Sequence, residues 1–321
     1  MTAEVETMFS VRDVPWHGMG VILDNPPTPA EAIRLAGLDW EVAKQPLYCK
    51  LEGQEKSAPA YATVRLTDQS ILGIVGPSYT VVQNAKAFDF FQPFIDSGAV
   101  TIETAGSLKE GRRVWILARI KEDPVEILKN DPVKRYMLLS NSHDGTLAVR
   151  AGFTGIRVVC SNTLQWAHKE GAILRIRHSR NVHDALSLVQ NVMDVANREF
   201  AGTVEQMKAM VRKGVVDVDI AKYVREVFRP KVFVTKGEEE RYDKEGAGQI
   251  IAKVLPLFQE ENERMPAASG TAWTMYNAVT AFLTHQRGRD QSSRLDSQWY
   301  GDSAVKSRKA LTVATKFAAF G

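Results

Sequence analysis

Over the first 180 residues apolar and polar positions alternate in short runs, and near Val182 the spacing lengthens to steps of three and four. Alternation places residues i and i+2 on one face of a strand, whereas the longer steps line one face of a helix. The alternating runs predict strands at Pro46–Leu51, Ala60–Leu66, Ser70–Val75 with Tyr79–Val82, Arg113–Ile120, Tyr136–Ser140, Thr146–Ala151, Ile156–Cys160 and Ile173–Arg177. Helical spacing interrupts them at Ala30–Leu38, where Thr28 can cap the helix and Pro29 occupies its first position. A second helix is predicted at Ala85–Ser97, with Phe88, Phe91 and Phe94 on one side. A third starts at Ser161 or Asn162, includes Leu164, Trp166 and Ala167, and stops at Gly171. Asp144-Gly145 is a turn signal between two of the strands. The order predicts an α+β fold, an antiparallel β-meander with packed helices over residues 1–180 and a mainly helical region over residues 181–321.

Within the helical region, Leu186, Val189, Met193, Ala196, Phe200, Thr203, Met207 and Met210 form one seam. Its stronger reading is packing on its own domain, because Gly202 weakens a continuous helix; its second is a contact between copies, centred on Leu186, Val189, Met193, Phe200 and Met207. Further helices are predicted at Val216–Phe228, Gly248–Glu263, Thr271–Arg287 and Ser303–Ala319, with the charged run "KGEEERYDKEG" as a solvated connection.

Composition adds bounds. A chain of 321 residues with 44% hydrophobic positions can bury one large core or two modest ones. Cys49 and Cys160 are its only cysteines and form no C-x-x-C pair, which excludes a cysteine-based zinc site and suggests free thiols in a reducing compartment. The segment "MTAEVETMFSVRD" lacks the apolar stretch of a signal peptide, and no apolar run approaches bilayer length. The expectation is a cytoplasmic protein with no membrane segment.

Charge changes the picture more. Between Thr146 and Arg180, Arg150, Arg157, Lys169, Arg175, Arg177 and Arg180 stand against Glu170, a net +5 in a chain whose total is +3, so the remaining sequence sums to −2. Strand alternation orders these charges. Val114, Ile116, Ala118 and Ile120 share one face of their strand, and Arg113, Trp115, Leu117 and Arg119 share the other. Ile156, Val158 and Cys160 likewise oppose Arg157, and Leu174 and Ile176 oppose Arg175 and Arg177. Arginines interleaved with an aromatic suit a single-stranded nucleic acid, whose phosphates take the cations and whose bases stack on the ring. The competing reading is a solvated sheet face whose arginines pair with acids elsewhere.

Other chemistries find less support. No P-loop, nucleophile elbow or dinucleotide fingerprint occurs, and the six histidines form no H-E-x-x-H pattern. In "NSHDG", His143 beside Asp144 suggests catalysis, but Asp-Gly is a turn signal and the structural reading of the pair prevails. His178 and His183 straddle the expected boundary without a ligand pattern, and Cys160 reads as a buried thiol. No cofactor and no metal ligand is assigned.

The stretches "PWHGMG", "LGIVGPSYTVVQNAKAFDF", "GRRVWILARI", "RVVCSNTL" and "TAWTMYNAVTAFLTH" together resemble the phage/plasmid-like proteins of domain-of-unknown-function family 932. That resemblance implies a phage, prophage or plasmid setting and carries no function. The meander followed by a helix, with basic residues on the sheet, is more remotely similar to the phage single-strand annealing proteins RecT, Erf and Redβ. Their resemblance implies ATP-independent annealing by a homo-oligomeric ring or filament, with Arg150, Arg157, Arg175 and Arg177 on phosphates and Trp115 or Trp166 on bases. Arg113, Arg119, Lys169 and Arg180 complete the expected interface, whose partner is single-stranded DNA or RNA. Two other classes compete: an interaction protein that binds a host or phage protein, and a metal-dependent nuclease with an unrecognised site.

Overall fold

The computed structural model describes residues 5–12, 20–122, 125–129, 131–157, 163–164, 173–186, 204–228, 244–288, 294, 297–298 and 301–320. The fold is α+β, with mostly antiparallel sheets in the N-terminal part and helices in the C-terminal part. By its contacts the chain divides into two compact units. One comprises Met1–Asp123, Arg135–Phe153 and Gly171–Asn197, and the other Pro124–Lys134, Thr154–Glu170 and Arg198–Gly321.

In chain order the strands are β1 (Val5–Val11), β2 (Val21–Leu23), β3 (Val42–Leu51), β4 (Gln54–Arg65), β5 (Ile71–Val75), β6 (Val100–Leu108), β7 (Arg113–Ile120), β8 (Val125–Leu128), β9 (Asp131–Ser142), β10 (Val149–Arg157), β11 (Thr163–Leu164) and β12 (Ile173–Ile176). The larger sheet of the first unit runs β12–β10–β9–β7–β6–β1–β2. Its pairs β1–β6, β6–β7, β7–β9 and β10–β12 are antiparallel, whereas β1–β2 is parallel. A smaller antiparallel sheet holds β3–β4–β5.

Three short helices, α1 (Pro29–Leu35), α2 (Asn84–Asp89) and α3 (Gln92–Asp96), belong to the same unit. At α1 the expected cap forms: the Glu31 backbone donates to Thr28 Oγ1, and the Thr28 backbone donates to the Glu31 carboxylate. The single helix expected at Ala85–Ser97 is two helices, because Pro93 in the first turn of α3 cannot donate to a preceding turn. Alternate residues of the strands, including Phe9, Ile102, Ile116, Leu139, Val149 and Ile176, form one core with Ala32, Ala36, Phe88 and Phe91.

Two expectations change, and β6 is a strand that alternation does not predict. Tyr79–Val82 is not a strand; its backbone and side chains bond outward instead, as shown below. β6 escapes the alternation rule because it is buried on both faces and bulged between Ile102 and Thr104. Leu164, expected in a helix, lies in the two-residue strand β11, paired with Gly155, and Trp166 and Ala167 lie outside the described residues.

The second unit contains α4 (Asp217–Phe228), α5 (Lys244–Arg264), α6 (Ala272–Ala281) and α7 (Asp302–Phe320). All ten residues of α6 are buried, so it is the axis around which Ile220, Val224, Val254 and Leu311 pack. The helix expected to reach Arg287 widens to a π-turn over Phe282–Gln286. Among the described residues no helix is long and apolar enough to cross a membrane.

Candidate nucleic-acid interface

The β10–β12 ladder is the outer corner of the larger sheet. Val149 pairs with Ile176, Arg150 with Arg175, and Ala151 with Leu174. Val149, Ala151 and Ile176 are buried in the core, so the ladder turns Arg150 and Arg175 to the other face, side by side. Arg175 is exposed, as are Arg177 at the strand end and Arg180 beyond it; Arg150 is half-buried. Among the described residues, none of Arg175, Arg177 and Arg180 has an acidic partner. Exposed guanidinium groups without an acidic partner can take an anion through charge-assisted hydrogen bonds.

β7 behaves differently. Its expected arginine face is largely interior: Trp115 is 4% exposed and Leu117 2%. Gly106 stands opposite Trp115, and a Cβ there would collide with the indole, so the missing side chain is what lets the ring lie down on the sheet. Trp115 therefore presents no face on which a base could stack. Arg119 bonds the Glu103 carboxylate at 3.3 Å, and the Tyr136 hydroxyl donates to its other oxygen at 2.9 Å. Arg113, half-buried, donates from Nη2 to Thr146 Oγ1 at 3.3 Å. Arg157 ends β10, with its side chain outside the described part, and Trp166 and Lys169 lie outside it entirely. Of the proposed seam, Leu186 is buried in the core of the first unit and Met207 in that of the second; Val189, Met193 and Phe200 lie outside the described residues.

Two histidines, His143 buried and His178 half-buried, tie neighbouring segments together. The Thr80 backbone N–H donates to the His178 carbonyl, and His178 Nδ1 donates to the Thr80 carbonyl, both at 3.0 Å. The His178 ring stacks on Tyr79 with centroids 4.5 Å apart, and the Tyr79 hydroxyl donates to the Ser142 carbonyl at 2.7 Å. His143 is fully buried, with Nε2 2.9 Å from Asn84 Oδ1. Because Asn84 Nδ2 donates to the Leu38 carbonyl, Oδ1 is the acceptor and His143 the donor. The His143 carbonyl accepts from Thr63 Oγ1 at 2.6 Å. His143 Nδ1 and His178 Nε2 are thus bare nitrogens, buried without a partner. Burial, then repulsion from His178, pushes the His143 pKa down to about 3, and burial lowers that of His178 too. Burial alone would raise the Asp144 pKa, but hydrogen bonds from Ser142 and Thr146 and the charge of Arg113 leave it below the usual carboxylate range.

The structural reading of "NSHDG" agrees with this geometry: His143 is a neutral bracket between elements, and Gly145 takes a left-handed conformation at φ 73° in the connection to β10. The roles of Tyr79, Thr80, Asn84 and Thr63 escaped the sequence reading, since each acts through contacts with residues distant in the chain, which no local pattern marks. Among the described residues no three His, Cys, Asp or Glu side chains converge as metal ligands.

A family model described as Domain of unknown function (DUF932) matches residues 71–299. The chain belongs to this DUF932 family. The matched segment begins at β5 and takes in the whole arginine corner together with Tyr79, His143 and His178; β1–β4 precede it. No curated protein and no solved structure matches this DUF932 chain.

Proposed function

We propose that this DUF932 chain binds single-stranded nucleic acid, DNA foremost, and anneals complementary strands without ATP during recombination or replication of a phage or other mobile element. The observation that supports the reading is the exposed set Arg175, Arg177 and Arg180, none of which has an acidic partner among the described residues. Phosphate contacts position a strand without reading its sequence, and they leave base edges free for a complementary strand. The effect on rate is then one of concentration and alignment, with no covalent step. A few arginines per copy neutralise only a few phosphates, so the reading includes a homo-oligomer, ring or filament, that sums such contacts along one strand. The phage or plasmid setting rests on the sequence resemblance, and the site of action is the cytoplasm of the host cell.

The test is a mobility shift with labelled oligonucleotides, with and without Mg²⁺, followed by annealing of complementary strands. Salt-sensitive binding without cleavage, and annealing faster than in protein-free solution, are the expected results. Cleavage of the strand would assign the protein to the nucleases. Failure to bind any oligonucleotide would leave the protein-interaction reading in its place.

A further inference from the structure

With Trp115 buried, the arginine corner lacks a described aromatic on which bases could stack. The structure offers another. β3 and β4 form a long hairpin whose turn, Glu52-Gly53, takes positive φ at both residues, 53° and 85°. Every residue from Tyr48 to Ser57 is exposed, so the distal half of the hairpin stands clear as an arm. Register and pleat put Lys44, Tyr48, Lys50 and Tyr61 on one face: Lys44 pairs with Thr63, Pro46 with Tyr61, Tyr48 with Ser57 and Lys50 with Glu55. Tyr48 is 60% exposed, and Lys44 Nζ lies 4.4 Å from the centroid of the Tyr61 ring.

A chain of contacts joins this face to the arginine corner. Lys44 Nζ donates to the Tyr79 carbonyl at 3.0 Å and also to that of Pro77, and Tyr79 stacks on His178, which lies between Arg177 and Arg180. The path from the β12 end to the arm therefore passes through directly bonded or stacked residues. Aromatic rings interleaved with lysines on a β-ribbon, joined to Arg175, Arg177 and Arg180, which have no acidic partner among the described residues, have the chemistry of a single-strand platform: cations follow the phosphates and rings take the bases. A duplex would keep its bases stacked on one another.

We propose that the β3–β4 arm is the base-stacking platform of this protein, with Tyr48 as its principal ring and an unpaired single strand as its occupant. This rests on the single-strand reading of the arginine corner. Tyr48 is exposed, so its truncation removes no core contact, and an unchanged melting temperature verifies that the variant folds. The experiment compares Tyr48→Ala with the parent on two probes of equal length, an ordinary oligothymidylate and an abasic phosphodeoxyribose strand, across a salt series. Tyr48→Ala should weaken binding to the ordinary strand by roughly 5- to 150-fold. It should leave the abasic strand and the salt slope unchanged, since stacking neutralises no phosphate. Tyr48→Trp should restore the ordinary strand. Equal loss on both probes would make Tyr48 a shape element of the phosphate track and overturn the stacking role. Unchanged binding of the ordinary strand would also overturn it while the arginine corner stood. Loss of self-association in light scattering, with DNA affinity intact, would assign the arm to a second copy. If the parent itself binds neither probe, the arginine reading fails first and the arm falls with it.

Discussion

β7 and β12 carry the same signature, arginine on one face of the strand and apolar residues on the other, yet one strand is interior and the other is surface. β7 lies between β6 and β9, and Trp115 and Leu117, which share a face with its arginines, are buried. Its arginines are consumed locally, Arg119 by Glu103 and Arg113 by the Thr146–Asp144 connection. β12 is a four-residue edge strand with β10 as its neighbour, and Arg175 within it and Arg177 just beyond it meet solvent. Position in the sheet, rather than the pattern of the strand, decides whether an arginine is a structural ion or a binding group. A central strand has neighbours on both sides to supply partners; an edge strand has only one.

The comparison breaks most visibly at Trp115. Trp115→Ala should destabilise the protein by about 3–5 kcal/mol in chemical denaturation, because a large ring is removed from a packed site. Arg175→Gln should change stability by no more than about 0.5 kcal/mol. A folded Trp115→Ala variant of parental stability with selective loss of oligonucleotide binding would reverse the assignment of the two strands.

Acid should test the His143 bracket. His143 is held well below its unfolded pKa of 6.5, so the unfolded chain binds the proton first as pH falls. The stabilisation from neutral His143 is complete above pH 6.5 and declines between there and about pH 3. His178 and Asp144, whose pKa values are also lowered, act in the same direction. Stability measured at pH 4.5 should be lower than at pH 7 by on the order of 2–3 kcal/mol from His143 alone. His143→Gln should be less stable at pH 7 and show a flatter profile; a profile as steep as the parent's would remove His143 as its source.

A smaller effect separates the two kinds of arginine. Glu103→Gln leaves Arg119 without its carboxylate and should cost about 1–3 kcal/mol in thermal or chemical unfolding. An unchanged transition would mean that the β7 arginine is no more engaged than those of β12.

The smallest stability change carries the largest change in binding. Arg175→Gln together with Arg177→Gln should melt within about 0.5 kcal/mol of the parent. The salt dependence of oligonucleotide binding should flatten by about 1.4, at about 0.7 per lost phosphate contact. A slope equal to the parent's in the folded double variant would take these residues out of the interface.

Local chemistry was sufficient for much of this fold. The boundaries of β7 follow from its alternation, and the start of α1 follows from Thr28, Pro29 and Glu31, because caps and pleats act over three or four residues. The change from strands to helices along the chain was legible for the same reason, as was the concentration of arginine near β12. The strands β1 and β6 were not: neither segment is among the strands that alternation predicts, and β6 is bulged and buried on both faces. Nor could the period-two pattern tell Trp115 from an exposed ring: alternation assigns a residue to a face and does not say what covers that face. The Thr80–His178 clip and the His143–Asn84 bond join residues 98 and 59 positions apart, and no local signal marks either. Sequence by itself determined which residues share a face, because that depends on the backbone period; only the tertiary structure decided which face is solvent, because burial depends on neighbours brought together from distant parts of the chain.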